Sequence, residues 1–324
     1  MAGSFFRDFA RLRKAELHLH LEGAVRASTL VALSRRNGSG AFPDRASVFA
    51  RRRFGGGIAA TAANDFLALY RDVCRELRNP ADYALLARDL LGRLRRDGTG
   101  YAEVYVSPAI VERLGLDWRE VAGALEQVFA AAELRGTRVA VLLDSVRHWG
   151  PEAAHRVLDR HRDVPWPRVL GFGLGGDEAA VPAKEFQDVY QRVRALGLAP
   201  LVHAGEWAGA DSVADALRYL RPVRIAHGVG AAEDPALVRR LARSGVALDI
   251  CLASNRATRA ITGSHPALRL LRAGVPITLS TDDPGLFGTS LRGEYVRLAR
   301  LGATDGELRR VARLSRLHAL STSS

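Results

Sequence analysis

The chain has 324 residues, 48% of them hydrophobic and 25% charged, which suits two average domains or one large α/β barrel and excludes a disordered tail. Its two cysteines, Cys74 and Cys251, exclude a Cys-rich zinc module and a secreted disulfide framework, and no apolar run approaches the ~18 residues of a membrane span. The net charge of +12 is almost all arginine, because Lys14 and Lys184 are the only lysines. Those arginines are spread along every helical stretch, and Arg51–Arg53 is the one dense run. No run alternates arginine with aromatics as a single-strand groove would, so they read as a solvated surface and not as a nucleic-acid groove. Charge interrupts the first twenty residues before a signal-peptide core could form, so the expectation is a cytoplasmic protein with neither a membrane nor a nucleic acid as partner.

Eight short apolar runs predict strands at Ala15–His20, Tyr101–Ser107, Arg138–Asp144, Arg168–Gly173, Pro200–His203, Val223–His227, Val246–Cys251 and Pro276–Asp282. Amphipathic stretches of helical length separate them, among them Ala81–Asp97, Arg119–Arg135, Glu185–Gly197, Asp211–Leu220, Pro235–Ser244 and Pro266–Ala273. Near-continuous apolar strands alternating with helices imply parallel pairing covered on its outer face, and about eight units predict a (β/α)₈ (TIM) barrel. Residues 1–324 read as a single domain. The connection 21–100 is long for a loop leaving the first strand. It contains an Asn37–Gly40 turn, a Gly-rich stretch and a helix over Asn64–Leu77, and it is predicted to serve as a lid. Phe66, Leu67 and Tyr70 share one face of that helix, which either packs on the barrel or covers a site.

The polar residues fall at strand ends. His18 and His20, two apart in a strand, point to the same face, and paired neutral imidazoles suit a divalent transition metal. His203 and Glu206 follow in LVHAGE, His227 ends RIAHG, and Asp282 and Asp283 end the last strand in TLSTDDP. Adjacent carboxylates there need a cation or donors. These clusters lie at the barrel face that carries chemistry. Histidines plus a carboxylate form a nitrogen–oxygen set suited to zinc, with iron or cobalt as alternatives. His148, His155, His161, His265 and His318 read as surface or packing residues.

The ordered motifs HLHLEG, GLGGDE, HAGE, RIAHG and STDDP resemble the adenosine and adenine deaminases of the amidohydrolase superfamily, from about Lys14 to the end of the chain. The resemblance implies a zinc-dependent barrel hydrolase that deaminates an N6-aminopurine nucleoside. It makes His18, His20, His203 and Asp282 the ligands of one metal, because no lysine ends the fourth strand to bridge two. It makes Glu206 the acid that protonates the ring nitrogen and His227 the residue that orients the attacking water, with Asp282 also handling protons. His20, beside the metal, Asp283 at the imidazole edge, the Gly176 N–H at the pyrimidine edge and Glu22 at a ribose hydroxyl would contact the substrate, and the lid helix would lie over the purine. Four residues depart from the family pattern, the last two being Leu252 and Ala253 within a usual Cys-Pro-Thr-Ser-Asn. Gly173 replaces a usual Asp, Tyr105 replaces a frequent Arg, and Cys-Leu-Ala-Ser-Asn stands at Cys251–Asn255. Adenosine is the expected substrate, with aminodeoxyfutalosine or adenine as alternatives. A catalytically dead barrel or a basic RNA-binding protein are rivals from other classes, but every ligand and Glu206 are present and no contiguous arginine face is visible.

Overall fold

The computed structural model describes residues 3–51 and 59–320; Arg52, Arg53 and the Gly-rich run after them lie outside the described residues. Eight strands form one parallel sheet in the order of the chain: β1 (Ala15–His20), β2 (Tyr101–Val106), β3 (Arg138–Val146), β4 (Val169–Gly175), β5 (Ala199–Ala204), β6 (Arg224–His227), β7 (Ala247–Ile250) and β8 (Ile277–Leu279). The barrel closes between β8 and β1 through a parallel bridge of Leu19 with Asp282. There the His20 N–H donates to the Asp282 carbonyl at 2.9 Å and the Asp282 N–H to the His18 carbonyl at 3.1 Å. This is the expected (β/α)₈ barrel.

The last strand is shorter than its sequence predicts, because side chains replace part of the ladder. The Ser280 hydroxyl accepts from the Leu17 and His18 N–H groups, both at 3.1 Å, and Glu16 accepts from the Thr281 N–H at 3.0 Å. The chain thus leaves β8 at Leu279 and turns its next acidic residues inward.

Every strand is largely buried, with the sheet packed against helices that follow the predicted periodicity. The helix at Pro80–Arg96 begins with a proline and is capped by Asn79, whose side-chain oxygen accepts from the Asp82 N–H at 3.1 Å. Inside the barrel, Tyr105, Leu142 and Leu201 form a small apolar layer against Leu320. Arg224 is buried in the interior, where its guanidinium donates to Asp249 at 2.9 Å and to Glu103 at 2.5 Å. Arg147 is also buried and donates to the His203 carbonyl at 2.7 Å. These two arginines correct the reading of all arginines as surface charge: each replaces its hydration with fixed acceptors, which a buried cation needs. Among the described residues, no helix is long and apolar enough to cross a membrane.

Candidate active site

β1, β5, β6 and the segment after β8 deliver their terminal side chains to one point. His18 Nε2 lies 3.3 Å from His20 Nε2, His20 Nε2 lies 3.3 Å from His203 Nε2, and Asp282 Oδ1 lies 3.3 Å from His18 Nε2 and 3.5 Å from His20 Nε2. Donors bound about 2.0–2.1 Å from one ion lie about 3–3.5 Å apart, and these four separations fall in that range, as a zinc-type set requires. His227 also reaches the group: one ligand atom from each of His18, His203, His227 and Asp282 falls within 4.8 Å of the others. The donors therefore number five. The chemistry of the set fits a divalent transition metal, since burial lowers the His20 pKa to about 4 and the His227 pKa to about 3, leaving lone pairs free. Burial likewise holds His203 well below the usual range.

The carboxyls divide into two groups. Asp282 is held well below the usual range: burial opposes its ionisation, but the edges of His18, His227 and His20 outweigh it. Burial pushes Glu206 well above the range, and the charges of Asp282 and Glu178 add to the effect. Burial also raises Asp283 and Asp144 well above their ordinary values and lifts Glu22 to about 7. One carboxyl held low, Asp282, beside carboxyls pushed up by burial is the division that acid–base chemistry at neutral pH requires. Backbone strain marks the same place, because His227 (φ 63°) and Asp282 (φ 62°) are non-glycine residues in the left-handed region.

These groups open into a cavity of about 780 Å³. Its wall includes His20, Gly176, His203, Glu206, His227, Asp282 and Asp283, so the expected site residues converge, and Glu22 joins them through Tyr70. The Tyr70 hydroxyl donates to Glu22 Oε2 at 3.0 Å, while Glu22 Oε1, also buried, has no hydrogen-bond partner. The helix expected as a lid, at Ala59–Arg75, packs on the barrel and also lines the cavity. Phe66 is buried in the core against Phe287, their ring centroids 5.1 Å apart, and Phe66, Leu67 and Tyr70 line the cavity.

Sequence reasoning missed several residues. Asp144, two residues before the end of β3, stands in the cavity wall with Oδ2 3.7 Å from His20 Nδ1, and its Oδ1 is buried without a partner. Glu178, the last residue of GLGGDE, accepts from the N–H groups of Gly205, Glu206, Trp207 and Ala208 and from the Ser212 hydroxyl. Four successive amides that no strand or helix uses are thus satisfied by one carboxylate, and that turn carries Glu206. Gly205 enters the turn at φ +68°, where a Cβ would lie 2.3 Å from Val213 Cγ2, so the glycine of HAGE is required. Motif order alone showed that GGDE and HAGE belong to one site, but not that one binds the other.

Two histidines read as surface or packing residues take part. His148 lines the cavity, and its Nδ1 accepts from the Asp177 N–H at 3.3 Å. His265 is buried and reaches Asn255, which in turn reaches His227. Lys184, by contrast, is exposed beside Glu185, and β4 ends at Gly175 with no lysine to bridge a second ion. The departures at Gly173 and Tyr105 occupy one spot: a Cβ on Gly173 would lie 2.4 Å from Tyr105 Cε1, and the tyrosine ring stacks on His20 with centroids 4.9 Å apart at 17°.

A family profile described as adenosine deaminase matches residues 13–320. The chain belongs to the adenosine deaminase family. It is similar to the adenine deaminase of Sinorhizobium medicae, 40% identical over 308 residues that span 94% of this chain and 93% of that protein. It is 38% identical to the adenine deaminase of Rhizobium meliloti over 312 residues, 94% of this chain and 93% of that one. The crystal structure of an adenine deaminase from Arthrobacter aurescens superposes with a TM-score of 0.90 at 28% identity, covering 96% of this chain and 94% of that one. Membership in this family of C–N hydrolases makes the protein a purine deaminase with a His/Asp centre of the kind that takes a divalent metal.

Proposed function

We propose that the protein, a single barrel domain over residues 1–324, converts adenine and water to hypoxanthine and ammonia. The observation that carries this reading is the pairing of one ionised carboxylate, Asp282, with a protonated acid, Glu206, whose Oε2 lies 3.4 Å from His227 Nε2 at the cavity floor. The 40% identity to an adenine deaminase supports adenine over the adenosine expected from the motifs. Adenosine is the second reading, favoured by the free, buried Glu22 Oε1, which could take a ribose hydroxyl.

His18, His20 and His203 through Nε2 and Asp282 through Oδ1 would hold one ion, and zinc fits the three-nitrogen, one-oxygen set. Zinc bound there supplies Lewis acidity that makes water nucleophilic near neutral pH. Glu206 gives its proton to the ring nitrogen beside C6 as the water oxygen adds to that carbon. His227 orients the water. Asp282 Oδ2, 3.9 Å from His227 Nε2, accepts one proton of the water and passes it to the amino group, which leaves as ammonia while the C6 hydroxyl proton returns to Glu206. Asp283 was expected to accept at the imidazole edge. Burial keeps it protonated and its Oδ1 has no partner, so we assign it the donor role toward a ring lone pair. The Gly176 N–H faces the pyrimidine edge, and the lid excludes water. Both cysteines are free, in keeping with the reducing cytoplasm.

Ultraviolet turnover on adenine, adenosine and deoxyadenosine, with metal content measured on the same sample, tests the reading. Adenine should be consumed fastest. Glu206→Gln should keep its metal and still bind adenine while losing about 10²- to 10⁴-fold in kcat. No turnover of any purine by the metal-loaded enzyme would overturn the proposal.

A further inference from the structure

His227 sits at the end of a buried chain of hydrogen bonds whose direction is set at its far end. The Ala267 N–H donates to His265 Nδ1 at 3.2 Å. A backbone amide can only donate, so His265 Nδ1 carries no proton and the ring's proton is on Nε2. His265 Nε2 lies 3.2 Å from Asn255 Oδ1, which accepts it. The Asn255 amide nitrogen then faces His227 Nδ1 at 2.9 Å and donates to it. Asn255 and His265 are buried, so no bulk water competes. Reversing the Asn255 amide would set its NH₂ against the His265 Nε2–H, so the fixed donor at Ala267 determines the orientation.

We propose that Asn255 and His265 are positioning residues that fix His227 as the tautomer with its proton on Nε2, so that His227 offers a donor and not a lone pair to the reacting atoms. This rests on the reading of His227 as a residue facing the substrate. Two consequences follow from the direction of the chain. His227 holds the incoming water by donating to it and does not take its proton. And of the five converging donors, His227 is the one whose Nε2 is unavailable to an ion, which leaves His18, His20, His203 and Asp282 to hold it. Asn255 is the last residue of Cys251–Asn255, and His265 lies ten residues beyond it, so a motif whose role the deaminase reading leaves open acquires one.

The test is nitrogen NMR of ¹⁵N-histidine-labelled enzyme, with the His227 signals assigned by difference against His227→Gln. The intact enzyme should show His227 Nε2 protonated and Nδ1 bare. Asn255→Asp replaces the donor with an acceptor, so the His227 proton should move to Nδ1 and kcat should fall by at least about 10²-fold, since a histidine in the wrong tautomer loses up to about 10⁴-fold. His265→Ala frees the amide to turn over and should give a mixture of tautomers, which keeps the test open if Asn255→Asp does not fold. His227→Ala should retain one metal per chain. A wild-type His227 protonated on Nδ1, an unchanged tautomer in both variants, or metal loss in His227→Ala would overturn the inference. The spectra need no substrate, so a failure of the deaminase reading would appear in turnover while leaving this measurement intact.

Discussion

Gly173→Ala adds one methyl group at the place where two departures from the family pattern meet. That Cβ would lie 2.4 Å from Tyr105 Cε1, 3.2 Å from Cδ1 and 3.3 Å from Cζ. Carbon atoms rest about 3.5–4.0 Å apart, so the ring must retreat by roughly 1.1–1.6 Å. It has nowhere free to go. The added Cβ meets the ring edge at Cε1, one ring face is stacked on His20 at 4.9 Å, the His18 ring crosses it at 5.4 Å, and Tyr105 is 1% exposed. Overpacking of this kind costs about 1–3 kcal/mol, and here the ring must slide in its own plane across the stacked His20 and disturb that ligand's support, so metal affinity should fall about tenfold. Urea denaturation and competition with a chelator read the two effects. The reasoning also predicts coupling: in a Tyr105→Leu background the same substitution should cost at least about 1 kcal/mol less. Parent-like stability and metal affinity in Gly173→Ala would show that the ring is not held in place at its edge by the glycine and on its face by His20.

Glu178→Gln should lower kcat about 10²-fold with little change in KM, because any orientation of the amide sets an N–H against at least one backbone N–H and shifts the turn that carries Glu206; steady-state kinetics on adenine check it. Asp282→Asn should fold, since asparagine tolerates the φ of 62° and the β8–β1 closure uses backbone atoms, but should purify with less than one metal per chain by elemental analysis. Glu294, buried and accepting from the Thr289 hydroxyl at 2.6 Å, has its pKa raised by burial to about 7. A raised acid stabilises the fold fully below its unfolded value of 4.5, and that contribution is lost as pH rises through about 7. Glu294→Gln, which mimics the protonated form, should therefore be more stable than the parent above about pH 7 by up to about 3 kcal/mol in denaturation curves, and equal to it near pH 4.

The barrel was legible because its strands are apolar on both faces and its helices keep their periodicity, and both properties are local. The strand-end position of His18, His20, His203 and His227 was legible for the same reason. Asp282 was placed in a strand, yet it lies past β8, because Ser280 and Thr281 exchange ladder bonds for bonds with β1. Nothing local to residues 276–282 records that exchange. Glu178, Asn255 and His265 were hidden for a related reason: each acts on a residue ten or more positions away, and its type alone fits a surface loop or a core position equally well. Arg147 and Arg224 were read as surface cations because arginine is abundant throughout the chain; only their fixed acceptors, which are tertiary, distinguish them. Gly173 and Tyr105 were seen as two unrelated departures, and the 2.4 Å approach makes them one.

The most direct measurement of the central claim is the fate of oxygen when the metal-loaded enzyme acts on adenine in ¹⁸O-water. Hydrolytic deamination requires one labelled oxygen at C6 of each product molecule and one ammonia released for each adenine consumed, read by mass spectrometry and an ammonia assay. Unlabelled product, ammonia out of step with purine, or no product from enzyme carrying a full complement of metal would contradict the account.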